Sequence, residues 1–302
     1  MRALRADARI PEDGRGTSVT SRPKVLGGAR RPSLPGDLLS FLAALALAAL
    51  SLAPAVAETR LQALGPGGAV AVPPFGVGER LTFEIKYGFI SAGTAVMGIP
   101  ELVEEGGHDC YRIVSMAESN TFVSTFFPVR DVAESLFDAR ELRSLRFEKH
   151  IREGSFRAHE TVVFDQERHV AIYESSGDDR LVPLSIDAHD ILTSLYYVRM
   201  MDLKVGTSVF IENHADKKNY PLEIRVLRKE RVSVPAGKFD CVVVEPVMRV
   251  AGLFRHKGSL TVWLTDDELH VPVQMRSKVM IGSISAVLSD LRLADGASGR
   301  DG

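Results

Sequence analysis

No His-Glu-x-x-His string occurs in the chain, which excludes the helical two-histidine zinc site of metallohydrolases. The nearest approach, His159-Glu160, runs on into Thr161-Val162-Val163 and falls in a strand pattern. The eight histidines, His108, His150, His159, His169, His189, His214, His256 and His270, are scattered along the sequence. Gly-x-Ser-x-Gly is missing as well: Gly282-Ser283-Ile284-Ser285-Ala286 fails the pattern and reads as strand, so the nucleophile elbow of the serine hydrolases has no counterpart. Gly65-Pro66-Gly67-Gly68 lacks the preceding strand and following helix of a phosphate loop. Asp266-Asp267 is an acidic pair, but neighbouring residues of a turn point apart and aspartate there ordinarily caps its own backbone. The reading is a protein with no catalytic residue, no cofactor and no metal site.

Cysteine is limited to Cys110 and Cys241, and tryptophan to Trp263. Both cysteines sit in apolar runs. An oxidising compartment permits them to form a disulfide, and buried free thiols are the alternative. Excess positive charge is also lacking. Residues 1–57 hold 8 of the 37 Lys+Arg and 4 of the 39 Asp+Glu, so the remainder carries 29 basic against 35 acidic side chains, a net −6. That balance removes the electrostatic basis for binding nucleic acid.

What is present at the N-terminus is an export segment. Leu38 to Leu52 contains only Leu, Ala, Phe41 and two serines, and Pro54 then precedes Ala55-Val56-Ala57. An apolar h-region followed by small residues is a cleavable signal, with cleavage after Ala57. A retained membrane anchor is the alternative, since the run approaches the roughly 20 residues that span a bilayer. No cysteine follows Ala57 closely enough for a lipid anchor, so a cleaved product would have no stable transmembrane span and would be periplasmic. The 37 residues ahead of the apolar run are long for an n-region, which suggests a start downstream of Met1, for instance at Val25. Arg30-Arg31 is a weak twin-arginine match.

Residues 58–78, with Gly65-Pro66-Gly67-Gly68 and Pro73-Pro74, read as a flexible leader, residues 79–292 as a single β-rich domain, and 293–302 as a disordered tail. From Arg80 the chain alternates strictly, with Leu81, Phe83, Ile85 and Tyr87 against Thr82, Glu84 and Lys86, the period of a half-buried strand. Strand patterns recur near 92–103, 108–118, 129–137, 142–152, 156–166, 168–174, 207–213, 219–227, 229–234, 238–248, 258–266, 268–277 and 279–291. Short turns such as Glu153-Gly154-Ser155 join them, and such turns connect antiparallel strands. The fold class is therefore all-β, mainly antiparallel: a strongly curled meander sheet, half-barrel or barrel-like, because about fourteen strands cannot form one flat open sheet. One helix is expected over 187–201. Asp190 is its N-cap, and Ile191, Leu195 and Val198 form one face with Leu192 and Tyr196 beside them, so that it covers the concave side of the sheet. Phe122, Phe126 and Phe127 before Pro128 form a second short helical turn, either a lid on the core or a surface for a lipid or partner.

Several ordered strings resemble one known family. They are Tyr87-Gly88-Phe89-Ile90-Ser91-Ala92-Gly93-Thr94-Ala95, Val234-Pro235-Ala236-Gly237-Lys238-Phe239, Val262-Trp263-Leu264-Thr265-Asp266-Asp267-Glu268, Val271-Pro272-Val273-Gln274-Met275 and Val279-Met280-Ile281-Gly282-Ser283-Ile284, with the helix around Asp190 to Arg199. Over roughly residues 76–292 the chain looks like the bacterial domain-of-unknown-function 3108 family of exported proteins. The resemblance implies a periplasmic β-rich fold and no activity. Trp263 alternates out of phase with Leu260, Val262 and Leu264, so it is either core on the second face of the sheet or part of a ligand surface. The leading functional reading is a non-enzymatic envelope protein whose curled sheet takes an apolar or amphipathic ligand such as a lipid or envelope component. An assembly partner acting through Phe122–Phe127 comes second, and a cell-wall or polysaccharide hydrolase third.

Overall fold

The computed structural model describes residues 72–175, 179–248, 260–279 and 282–294. The expected signal segment, with its expected start and cleavage site, and most of the expected leader lie outside the described residues. Fourteen strands follow in chain order: β1 (Arg80–Tyr87), β2 (Ile90–Glu105), β3 (His108–Ser119), β4 (Arg130–Asp138), β5 (Ser144–Glu153), β6 (Phe156–Asp165), β7 (Val170–Glu174), β8 (Arg180–Pro183), β9 (Ser208–Ala215), β10 (Lys218–Val234), β11 (Gly237–Met248), β12 (Leu260–Thr265), β13 (Pro272–Lys278) and β14 (Ser283–Arg292). Helix α1 (Thr121–Ser124) lies between β3 and β4, and α2 (Ile191–Val198) between β8 and β9.

All fourteen belong to one antiparallel sheet, ordered β8-β7-β6-β5-β4-β3-β2-β1-β14-β13-β12-β11-β10-β9. Two meanders thus meet where β1 pairs with β14, from Arg80 opposite Arg292 to Tyr87 opposite Ile284. The alternation read from the sequence is the burial pattern: Leu81, Phe83 and Ile85 point into the main core. Fourteen strands in a flat sheet would set β8 and β9 about 60 Å apart at ~4.8 Å per spacing. Instead the two ends touch. Asn219 Nδ2 donates to the Pro183 carbonyl at 2.8 Å, and the Tyr173 hydroxyl is hydrogen-bonded with His214 Nε2 at 3.0 Å. The sheet therefore bends round α2, yet no backbone ladder joins β8 to β9, so it is not a closed barrel.

The core begins ahead of β1, within the segment expected to be a leader. Phe75 is buried, with its ring edge-on to Tyr111 at 5.8 Å and to Tyr196 at 4.9 Å. At the other terminus Ala294 is buried although its position falls in the expected tail. Close backbone approach at β2 depends on Gly98, where an added Cβ would lie 2.2 Å from the Glu79 carbonyl oxygen. Backbone would have to move to admit it. Gly98→Ala should destabilise the fold by at least the ~1–3 kcal/mol typical of overpacking, read as a lower urea midpoint.

Candidate functional site

Helix α2 is short, and buried polar groups hold both of its ends. At its start the Asp190 carboxylate accepts from the Leu192 and Thr193 amides at 2.8 and 3.1 Å, and from the Ser135 and Ser144 hydroxyls at 2.8 Å each. Burial raises the Asp190 carboxyl above its ordinary range against the opposing pull of these bonds. The cap thereby fastens the helix to β4 and β5. At its end Arg199 is fully buried. Its guanidinium donates to Glu79 Oε1 at 2.7 Å and Oε2 at 2.8 Å, to the Leu269 carbonyl at 3.1 Å and to the Pro74 carbonyl at 3.3 Å. The Phe75 and Tyr196 rings lie 5.3 and 5.2 Å from the guanidinium carbon.

Between this fixed helix and the inner face of the sheet is an apolar cavity. It is a narrow slot of about 80 Å³, open to solvent on one side and smaller than the pockets that enclose a whole drug-sized ligand. Ile191, Leu195 and Val198 form its helical wall, facing Ile224, Val244 and Val262 of the sheet among others. The polar side chains in the lining are Ser115 and Ser194, and the Ser194 hydroxyl already accepts from Asn213 Nδ2 at 2.8 Å. With no ionisable group in its lining, the cavity can bind apolar matter but has nothing to move a proton or ligate a metal.

The titratable clusters lie elsewhere. Asp131 and Glu153 are buried together beside the β5–β6 turn, and the Arg152 amide donates to Asp131 Oδ1 at 2.8 Å. Burial, reinforced by the Asp131 charge, pushes the Glu153 carboxyl up to about 8. A carboxyl raised on folding contributes stability below its unfolded range and loses it as pH climbs through the folded value. Buried His189, brought down to about 3 by desolvation, acts in the opposite sense below its ordinary 6.5. The wild-type Tm should therefore fall between about pH 6.5 and pH 8, and Glu153→Gln should flatten that fall.

On the outer face, the β5–β6 register sets His150 opposite His159, with their rings stacked at 4.1 Å. Glu148 Oε1 lies 2.7 Å from His150 Nε2 and 3.2 Å from His159 Nε2. Among the described residues this is the one group with the ligand types and spacing for a metal ion. The carboxylate here bridges the two rings. A search for linear motifs misses the trio, although the turn at Glu153-Gly154-Ser155 already implies the pairing of 150 with 159.

The family model described as "Protein of unknown function (DUF3108)" matches residues 82–289. The chain belongs to the DUF3108 family. No curated protein matches it. Among solved structures, it is similar to a beta-barrel-like protein of domain of unknown function DUF1849 from Brucella abortus, with a TM-score of 0.49 and 9% identity over 72% of this chain and 98% of that one. A protein provisionally titled a lipoprotein from Parabacteroides distasonis gives a TM-score of 0.30 and 11% identity over 73% and 99% of the two chains. One provisionally titled an exported protein with a YmcC-like fold from Bacteroides fragilis gives 0.27 and 13% over 72% and 97%.

In this DUF3108 protein the residues singled out from sequence separate. Phe122 and Phe126 are exposed on α1 and just after it, edge-to-face at 5.8 Å. Phe127 turns inward over Gly154, which has a positive φ of 54° and where a Cβ would meet the Phe127 ring at 2.7 Å. The segment is thus part lid and part surface. Trp263 is at neither cavity nor surface. It is buried on the second face with Cys241, Val243 and Val273, its indole N–H donating to Glu230 and Arg276 lying 5.5 Å over the ring. The candidate disulfide is not formed: Cys110 on β3 and Cys241 on β11 are buried free thiols, separated in the strand order by five strands. Burial, with nearby carboxylates, pushes the first up to about 11 and the second up to about 12, far from reactive thiolates. No described helix is long and apolar enough to cross a membrane.

Proposed function

We propose that this DUF3108 protein is a periplasmic, non-enzymatic binder that holds an apolar or amphipathic envelope ligand in the cavity beneath α2. The observation that carries the reading is the lining: a slot open to solvent and walled by aliphatic side chains and two serines. Left to collapse, so much apolar surface would close by hydrophobic packing. Here the Asp190 and Arg199 networks fix both ends of α2 in place, which limits how far the helix can settle into the slot.

The residues that would support hydrolysis do not converge on this space. Serving a structural partner through the cavity would require a side chain or segment to be inserted there, whereas a flexible acyl or prenyl chain fits an open apolar slot directly. Native mass spectrometry of the protein purified from the periplasm should show a population heavier than the polypeptide by a lipid-sized mass, released by organic extraction. A bare polypeptide mass, together with no saturable uptake of a fluorescent fatty-acid probe, would refute the proposal.

A further inference from the structure

In a meander, alternate turns lie at the same end of the strands. The β1–β2, β3–β4 and β5–β6 connections therefore share one rim, and hydrogen bonds stitch them together. Asn120 Nδ2 donates to the Ser91 carbonyl at 2.7 Å, and the Gly154 amide to the Pro128 carbonyl at 2.8 Å. On this fixed rim stand Phe89, Ile90, Phe122, Phe126 and Phe156, all exposed, with Phe89 at 106% of its reference area. Isolated apolar residues on a surface need no explanation, but a row of phenylalanines on successive turn tips does.

Charge is divided along the same axis. Lys86, Arg130, Arg152, Arg157, Lys218 and Lys278 lie in or beside turns of the aromatic rim. Of the acidic residues at that end, Glu118 and Glu174 each pair with an arginine, Lys86 pairs with Glu84, and Asp179 and Asp216 sit beside Arg180 and Lys217 in the chain. The opposite rim carries Glu104-Glu105, Asp109 and Asp266-Asp267-Glu268 in its turns. The aromatic end thus carries an excess of cations, whereas the opposite rim mixes its acidic residues with Arg140, Arg143, Arg168, Lys204 and Lys238. The cavity reaches toward the aromatic end. The register Leu260–Ser277–Ile284–Tyr87 places Leu260, a lining residue, level with Tyr87, two residues from Phe89.

We infer that the Phe89–Phe122–Phe126–Phe156 rim docks on an anionic membrane surface, the phenylalanines entering the headgroup boundary and the cations meeting lipid phosphates. Partitioning of exposed aromatics combined with attraction of basic residues to anionic lipid is how peripheral proteins hold a bilayer. The far rim, of mixed charge and without the row of phenylalanines, offers no comparable attraction, which sets the orientation. Docking stands on the rim alone. That it points the cavity at the bilayer rests on the ligand-binding reading above.

The test is co-sedimentation of the protein, as processed by the cell, with vesicles of phosphatidylcholine alone or with added phosphatidylglycerol. The wild type should bind the anionic vesicles, and more weakly at high salt. Phe89→Ser and the Phe122→Ser/Phe126→Ser double variant should each lose about tenfold or more in partition. Their melting curves should be unchanged, because these side chains are exposed. Lys218→Glu/Lys278→Glu should give a similar loss on anionic vesicles by an independent route. All variants share the wild type's N-terminal residues, so differences between them report the rim. Uptake of the fatty-acid probe should persist in the rim variants. If probe uptake fails in every protein while vesicle binding follows the rim, only the cavity reading falls. Absence of vesicle binding, or binding indifferent to these substitutions, overturns the inference. So does photo-crosslinking from position 126 to one protein in place of lipid, which would assign the rim to a protein partner.

Discussion

Arg199→Ala should cost about 3–5 kcal/mol, the usual penalty for breaking a buried ion pair by removing one partner, and a large share of the roughly 5–15 kcal/mol that holds a domain. The reason is what remains. Glu79 is fully buried with both carboxylate oxygens bonded to the guanidinium, and without it that charge has no comparable partner. The alanine also removes the group packed between Phe75 and Tyr196 and frees the last turn of α2. A urea titration should show a much lower midpoint. The double variant Glu79→Leu/Arg199→Met should recover part of the loss, because neither charge is then left buried alone. A single-variant loss below about 1 kcal/mol would mean that water reaches Glu79 and that the helix end is not held as argued.

The second large effect is on binding. Leu195→Trp carries an indole from the half-buried face of α2 into space that no protein atom fills, so saturable uptake of a fatty-acid probe should weaken by about tenfold or more. Stability should shift by less than about 1.5 kcal/mol, since the added volume replaces solvent rather than displacing packed side chains. Emission from the introduced indole would itself report occupancy, because Trp263 lies on the other face of the sheet. Unchanged uptake in a folded Leu195→Trp protein would place the ligand elsewhere. Together the two variants separate loss of the cavity's wall from loss of its volume.

Local patterns carried much of this architecture. Alternation marked most strands, and Asp190 with the Ile191, Leu195 and Val198 face marked α2, shorter than the 187–201 expected because its last residues tighten into 3-residue turns. Where alternation slipped, boundaries slipped with it. The segments 219–227 and 229–234 are one strand, β10, whose register shifts between Val226 and Arg228 and throws Leu227 outward. Strand β8, only four residues long and ending in Pro183, is too short to leave a periodic signal. The cavity's helical wall was legible, but its sheet wall was not: which face of β10 to β13 turns inward depends on pairing between distant strands. Nothing in the neighbourhood of Glu79 announces Arg199, 120 residues later. Trp263 had an ambiguous phase until the second-face cluster fixed it.

The junction of β1 with β14 has a consequence for the order of events in folding. Arg80 finds its partner Arg292 only when almost the whole chain is available, and loops closed over such separations form late. Hairpins of the first meander can zip early, but the seam joining the two halves cannot. Until β14 arrives, β1 offers an unpaired edge at what becomes the middle of the sheet. A polypeptide threaded through a narrow channel from its N-terminus would remain pliable until its final strand had passed, and would lock only on the far side.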